Sequence, residues 1–155
     1  MKYSDKPITH FFFPKEWNQG PEEQSGIVAE TMTAEQTPIV ERIREGLYFR
    51  EFKALRHLLD IPEDTLALYL GISNATLHRR KKSRKFSQSE SERLVRFTRL
   101  FGIAYSVFGD EVAVREWLKT ENPGTAGESP LSYADTEFGA REVENLLGRI
   151  DHGVF

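Results

Sequence analysis

Cysteine is absent from this sequence of 155 residues. Its absence excludes a disulfide framework, a zinc site built from thiolates and a cysteine nucleophile. Long apolar runs are missing too: none approaches the roughly 20 residues that a membrane-spanning helix needs, and no signal-peptide pattern opens the chain. With 39% hydrophobic and 29% charged residues, the composition is typical of a folded globular protein. We expect a cytoplasmic protein without a membrane partner.

Patterns that carry catalysis or hold cofactors are also missing. The four histidines, His10, His57, His78 and His152, are scattered without the spacing of metal ligands. No serine–histidine–aspartate set, phosphate-binding glycine loop or carboxylate pair lies on convincing local structure. The sequence therefore predicts no enzyme activity, no metal site and no cofactor.

Charge is distributed unevenly along the chain, although the net charge is only −3. Residues 41–100 contain 14 basic and 8 acidic side chains, whereas residues 101–155 contain 4 and 10. A basic middle segment indicates a module that binds a polyanion, and the acidic end indicates a different partner.

Helical signals follow one another from Thr37 onward, without alternating strand patterns or repeats. We predict an all-α protein with an N-terminal arm over residues 1–37, a DNA-binding domain over 38–108 and a C-terminal helical domain over 109–155. The aromatic cluster at residues 11–17 of the arm is expected to pack on the chain's own core or on a second copy. The last predicted helix, capped by Thr136, places apolar residues on one face: Phe138, Val143, Leu146, Leu147 and Ile150.

Residues 63–82 have the spacing of a helix-turn-helix. Ala67 is the small residue where two helices meet, Gly71 permits the positive φ of the turn, and Leu77 anchors the second helix. Ser73 is placed to cap that second helix. An ordinary helical hairpin with a glycine turn is the alternative interpretation.

The second helix leads into Arg79–Lys85, which has six cations in seven residues and no carboxylate. In this motif the start of the second helix enters the major groove and its flanks contact phosphates. We therefore predict that the capping Ser73 lies at the DNA surface and that Asn74, Thr76, His78 and Arg79 read bases. Phosphate contacts are predicted for Lys81, Lys82, Arg84 and Lys85. One such module offers few contacts, so a two-fold dimer on double-stranded DNA is expected.

The C-terminal third resembles the Xre/MbcA/ParS antitoxin family. The resemblance covers roughly residues 40–155 with the helix-turn-helix included, and it rests on an ordered series: Phe108-Gly109, Trp117-Leu118, Asn122-Pro123, Gly127, Pro130-Leu131, Thr136, Gly139, Val143, Leu147, Arg149-Ile150 and Gly153.

This resemblance implies an antitoxin that blocks the active site of a RES-domain toxin, an NAD-consuming protein, and represses its own operon by binding operator DNA. It implies toxin binding by the last helix and the tail: Val143, Leu146, Leu147, Arg149, Ile150, Asp151, His152, Gly153, Val154 and Phe155. One alternative is a stand-alone transcriptional repressor whose C-terminal unit dimerises. Another is a basic adaptor for RNA or protein, which the lack of a base-stacking aromatic surface disfavours.

Overall fold

The computed structural model describes residues 39–153, and these form a succession of helices joined by short turns. The predicted N-terminal arm lies outside the described residues, as do Val154 and Phe155. The helices are α1 (residues 39–45), α2 (Phe49–Leu59), α3 (Glu63–Tyr69), α4 (Asn74–Ser83), α5 (Gln88–Phe108), α6 (Glu111–Lys119), α7 (Pro130–Tyr133) and α8 (Glu137–Asp151), with a 3₁₀ turn at Pro123–Thr125. The predicted all-α class is confirmed.

Side-chain caps fix most of the helix starts where the sequence placed them. Ser87 and Glu90 form a capping box at the start of α5: the Ser87 Oγ accepts from the Glu90 N–H, and the Glu90 carboxylate accepts from the Ser87 N–H. Asp110 caps α6 by accepting from the Ala113 N–H, and Thr136 caps α8 by accepting from the Gly139 N–H. These local bonds satisfy backbone donors that would otherwise lack partners.

Helices α3 and α4 form the predicted helix-turn-helix. The turn is a Schellman motif, in which the Ile72 N–H donates to the Ala67 carbonyl at 2.8 Å and the Gly71 N–H donates to the Leu68 carbonyl at 3.1 Å. Gly71 has a φ of +65°, which favours glycine. Leu77 packs in the core, as predicted.

Helix α5 lies between the helix-turn-helix and the C-terminal helices and is buried on more than one side. One continuous apolar cluster runs from Leu47 through Phe97 and Phe101 to Leu147. The predicted boundary between residues 108 and 109 coincides with the end of α5, but the core is continuous across it. Within residues 39–153 the two predicted domains therefore share their packing.

Backbone hydrogen bonds join the segment after α4 to the start of α2. The Phe49 N–H donates to the Arg84 carbonyl at 2.8 Å, and the Phe86 N–H donates to the Leu47 carbonyl at 2.9 Å. The ring of Phe86 stacks on Phe49 and Phe52, with centroid distances of 5.6 and 5.7 Å. These hydrogen bonds and ring contacts fix the end of α4 relative to α2.

The part of the chain that the structure describes contains no helix long and apolar enough to cross a membrane. Across the same residues, no three histidine, aspartate or glutamate side chains lie together as metal ligands would.

Replacing Gly46 with alanine should destabilise the protein more than Gly109→Ala does. Both glycines have positive φ, +92° and +69°, so backbone strain alone costs about 1–2 kcal/mol at each. Only at Gly46 would the new Cβ also meet a rigid atom, 2.1 Å from the carbonyl oxygen of Phe86. Urea denaturation of the two variants measures the difference in their free energies of unfolding. Equal losses of stability would show that the backbone around Phe86 shifts to accommodate the extra Cβ atom.

Candidate DNA-binding and partner-binding surfaces

The outer face of α4 carries most of the predicted base-reading side chains. Asn74, His78 and Arg79 are exposed. Thr76 is partly buried, and its Oγ1 accepts hydrogen bonds from Ser73 Oγ and Arg79 Nη2, each at 3.0 Å. Ser73 is the N-cap, with its Oγ accepting from the Thr76 N–H at 3.1 Å. The hydroxyls of Ser73 and Thr76 thus hold the start of α4 in shape beside the exposed Asn74.

The cationic run Arg79–Lys85 is partly neutralised by carboxylates that the local sequence does not contain. Arg80 forms a two-pronged ion pair with Glu90, at 2.8 and 3.1 Å, and Lys81 pairs with Glu63 at 2.5 Å. Lys81 is therefore a weaker candidate for a phosphate contact than the sequence predicted. Within residues 39–153 no carboxylate forms an ion pair with the four remaining cations of the run: Arg79, Lys82, Arg84 and Lys85.

Glu90 connects the recognition helix α4 to α5. Burial alone would raise the pKa of its carboxyl, but the hydrogen bonds and charge of Arg80, together with the hydrogen bonds from Ser87, outweigh it, so the pKa lies below the ordinary value. Arg93, one turn further along α5, donates to the Leu70 carbonyl at 2.7 Å and so holds the turn between α3 and α4. Both contacts orient α4 relative to α5.

The predicted toxin-binding residues divide into a buried and an exposed set. Val143 and Leu147 are 0% exposed and belong to the core, where they pack α8 on the rest of the fold, so neither side chain is presented at the surface. Leu146 and Ile150 are partly buried. The remaining predicted residues within the described range are exposed: Arg149, Asp151, His152 and Gly153.

Phe138 does not join the apolar face on which the helical period placed it, because its side chain is 82% exposed. The buried face of α8 instead begins with the small residues Gly139 and Ala140. At Gly139 the backbone comes so close to α7 that a Cβ would meet the Tyr133 carbonyl oxygen at 1.8 Å. Close backbone approach therefore sets the orientation of α8 and turns Phe138 outward.

An acidic cleft of about 320 Å³ lies beside Phe138. It is lined by Glu128, Tyr133, Asp135, Thr136, Phe138, Gly139 and Glu142, which include three carboxylates and no cation. The exposed aromatic ring and these carboxylates form a surface that suits a basic protein partner. No motif in the sequence predicted this surface, and the acidic composition of the segment was its only signal.

Ion pairs connect the part of α8 next to this surface to α5. Glu137 pairs with Arg96 at 3.1 Å and with Arg99 at 3.2 Å, and Arg99 also binds Glu144 at 2.7 Å. Partial burial raises the pKa of Glu137, but the hydrogen bonds and charges of Arg99 and Arg96 together outweigh this effect. The pKa of Glu137 therefore lies below its ordinary value. These contacts fix the start of α8, including Phe138, relative to α5.

Comparisons with known proteins match both halves of the described chain. Residues 104–153 match the family described as the antitoxin Xre/MbcA/ParS C-terminal toxin-binding domain, and residues 38–99 match the antitoxin Xre-like helix-turn-helix domain. Antitoxin Xre of Yersinia enterocolitica serotype O:8 / biotype 1B is 35% identical over 121 residues, covering 77% of this chain and 82% of that protein. Antitoxin Xre of Photorhabdus laumondii subsp. laumondii is 42% identical over 71 residues, covering 45% and 48%.

Replacing Glu90 with glutamine should destabilise the protein at neutral pH by about 1.5–3 kcal/mol, the usual contribution of hydrogen bonds to a charged group. Glutamine keeps an acceptor for the capping box, so the change isolates the charge that Arg80 binds. Because folding lowers the pKa of Glu90, its stabilising effect is complete above the unfolded-state pKa of about 4.3 and is lost as pH falls through the lower folded-state value.

Urea denaturation of both proteins between pH 7 and pH 3 would measure this dependence. The stability difference should shrink as the pH decreases. A difference that stays constant over the whole range would mean that packing around residue 90, and not its charge, causes the loss.

Proposed function

Since the chain belongs to the family of Xre-type antitoxins, we propose that it neutralises a RES-domain toxin through its C-terminal helices and represses its own operon through α4. The observation that carries the proposal is the arrangement of two oppositely charged surfaces on one shared core. The cationic face of α4 lies on the first half of that core, and the acidic surface around Phe138 lies on the second. No enzyme activity is assigned to the chain itself.

Operator binding is supported by the exposed end of α4. Asn74 and Arg79 are the side-chain types that make paired hydrogen bonds to adenine and guanine in the major groove. Both are exposed, Asn74 at the first residue of α4 and Arg79 in the middle of the helix. His78 lies on the same exposed face. Lys82, Arg84 and Lys85 would then contact phosphates and set the position of α4 along the duplex. Two copies related by a two-fold axis would place two such helices about 34 Å apart.

Toxin binding is assigned to the exposed and partly buried residues of α8 and to the tail, with Phe138 as an added anchor. We retain Leu146, Arg149, Ile150, Asp151, His152 and Gly153, together with Val154 and Phe155, and we exclude the buried Val143 and Leu147. The acidic cleft would receive basic side chains of the toxin, while the tail would enter its active site. An exposed aromatic ring next to complementary charge is typical of the residues that dominate protein interfaces.

Asn74→Ala should reduce the preference for operator DNA over a scrambled duplex by about 1–3 kcal/mol, because a contact to a base edge is lost. Lys82→Ala should weaken binding to both duplexes equally and reduce the log–log salt slope by about 0.9, because a phosphate contact carries no sequence information. Fluorescence anisotropy with the duplex upstream of the gene would measure both quantities. If Asn74→Ala left the preference unchanged, α4 would not read bases through this residue.

Phe138→Ala should weaken the complex with the toxin by about 30-fold or more, the size expected of an aromatic anchor. Leu68→Ala is the matched control, because Leu68 is also a highly exposed apolar residue, 78% exposed, but lies on α3. Both variants should remain folded, since neither side chain is buried. Calorimetric titration with the RES-domain protein encoded by the adjacent reading frame would compare them, and equal affinities would remove Phe138 from the interface.

A chain that ends at Ile150 should retain binding to the toxin but fail to rescue growth, because it lacks the tail and keeps the helical surface. Co-expression with the adjacent reading frame tests this, with the full-length chain as the control. Rescue by the shortened chain would contradict blocking by the tail. If neither chain bound the neighbouring protein, a stand-alone repressor with a C-terminal dimerisation unit would be the better interpretation.

A further inference from the structure

A second cationic site extends from the end of α4 to the start of α2. It is a cleft of about 410 Å³ lined by Tyr48, Phe49, Arg50, Lys53, Lys81 and Arg84. Four of these six residues are cations and none is an acid. Lys81 is paired with Glu63, whereas Lys53 and Arg84 form no ion pair with any carboxylate between residues 39 and 153. A cleft with this lining has an electrostatic preference for an anion.

Aromatic rings hold several of these cations in place. The Arg50 guanidinium carbon lies 5.3 Å from the centroid of the Tyr48 ring, and the Lys85 Nζ lies 5.0 Å from it. The Lys53 Nζ lies 5.8 Å from the centroid of Phe49. A ring attracts a cation without cancelling its formal charge. Arg50 forms an ion pair with the buried Glu51 at 3.9 Å, and Glu51 also binds Arg42 at 2.8 Å. The lining of the cleft itself contains no acid.

The cleft is fixed relative to the recognition helix. Arg84 is the residue that ends α4, and its carbonyl accepts from the Phe49 N–H at 2.8 Å. Tyr48 and Lys85 face each other in an antiparallel bridge. A phosphate held in the cleft would therefore lie beside the phosphates that the end of α4 contacts, with no rearrangement of the chain.

We propose that this cleft binds a phosphodiester group of duplex DNA just beyond the bases facing α4, with Arg50 and Lys53 as the new contacts. The inference rests on the proposed operator binding and extends the DNA surface from α4 to α2. Duplex DNA is the anion that the position favours, because its phosphates recur along the helix axis at about one charge per 1.7 Å and continue past the recognition helix. A free nucleotide presents the same phosphate chemistry and is the alternative source that the experiment must separate.

The test compares the double variant Arg50→Ala/Lys53→Ala with Lys119→Ala/Arg141→Ala, which removes the same charge from exposed positions on α6 and α8. Binding to the duplex upstream of the gene is measured between 50 and 200 mM salt. Two lost phosphate contacts should reduce the log–log slope by about 1.8, so the wild type should lose about tenfold more affinity over this range than the α2 variant. The control should keep the wild-type slope. The preference for operator over scrambled DNA should be unchanged in both variants.

Ethylation interference on the same duplex should show wild-type contacts at phosphates outside the bases facing α4, and these should disappear with the α2 variant. An unchanged slope and an unchanged interference pattern would overturn the cleft proposal while leaving operator binding intact. A wild-type chain that bound no DNA would reject operator binding and the cleft proposal together. Thermal unfolding checks that the variants are folded, and the single variant Lys53→Gln, with an expected slope change of about 0.9, replaces the double one if Arg50→Ala unfolds.

Titration with ATP distinguishes the other source of phosphate. The wild type should bind ATP no more tightly than the α2 variant does once both are in 150 mM salt. Tight ATP binding by the wild type that is lost in the α2 variant, combined with an unchanged DNA salt slope, would identify the cleft as a nucleotide site and overturn the DNA proposal.

Discussion

Helix α5 has to satisfy packing partners on several sides, and the arrangement of both functional surfaces depends on that constraint. Arg93 on this helix binds the carbonyl at the turn between α3 and α4, whereas Arg96 and Arg99 bind carboxylates on α8. The same helix contributes buried residues such as Phe97 and Phe101 to one continuous core. A helix buried in this way is held as part of the core, so α4 and α8 keep fixed positions relative to each other.

Charge is separated along the same scaffold in a way that suits two partners of different chemistry. Carboxylates Glu90 and Glu63 pair with Arg80 and Lys81 of α4, which leaves the positive charge of Arg79, Lys82, Arg84 and Lys85 without an ion pair in the described residues. At the other end of the sequence, Arg96 and Arg99 neutralise Glu137 and Glu144, while the carboxylates beside Phe138 line an acidic cleft without a cation. Internal ion pairs thus stabilise the fold, and the charges left over give each surface its sign.

Most of the fold could be predicted from local sequence signals. The capping box at Ser87 and Glu90, the turn at Gly71 and the cap at Thr136 depend on residues a few positions apart, so short-range chemistry determines them. The helical period was less reliable for α8. It placed Phe138 with Val143 and Leu147, but Gly139 and Ala140 form the close contact, because the backbone of α7 leaves no room for a larger side chain there.

The sequence by itself determined the helices, the helix-turn-helix and the opposite charges of the two halves, since each follows from residue types at short spacing. Tertiary structure alone decided which charges stay available and which apolar residues face outward. The ion pairs Lys81–Glu63 and Arg80–Glu90 form only when α3, α4 and α5 pack together. The contact between the Lys85 ammonium and the Tyr48 ring likewise requires α2 to pack beside the end of α4. The cationic cleft on α2 also depends on residues far apart in the chain, such as Tyr48 and Lys85. The exposure of Phe138 depends on how closely α8 packs on α7 at Gly139, which the helical period does not encode.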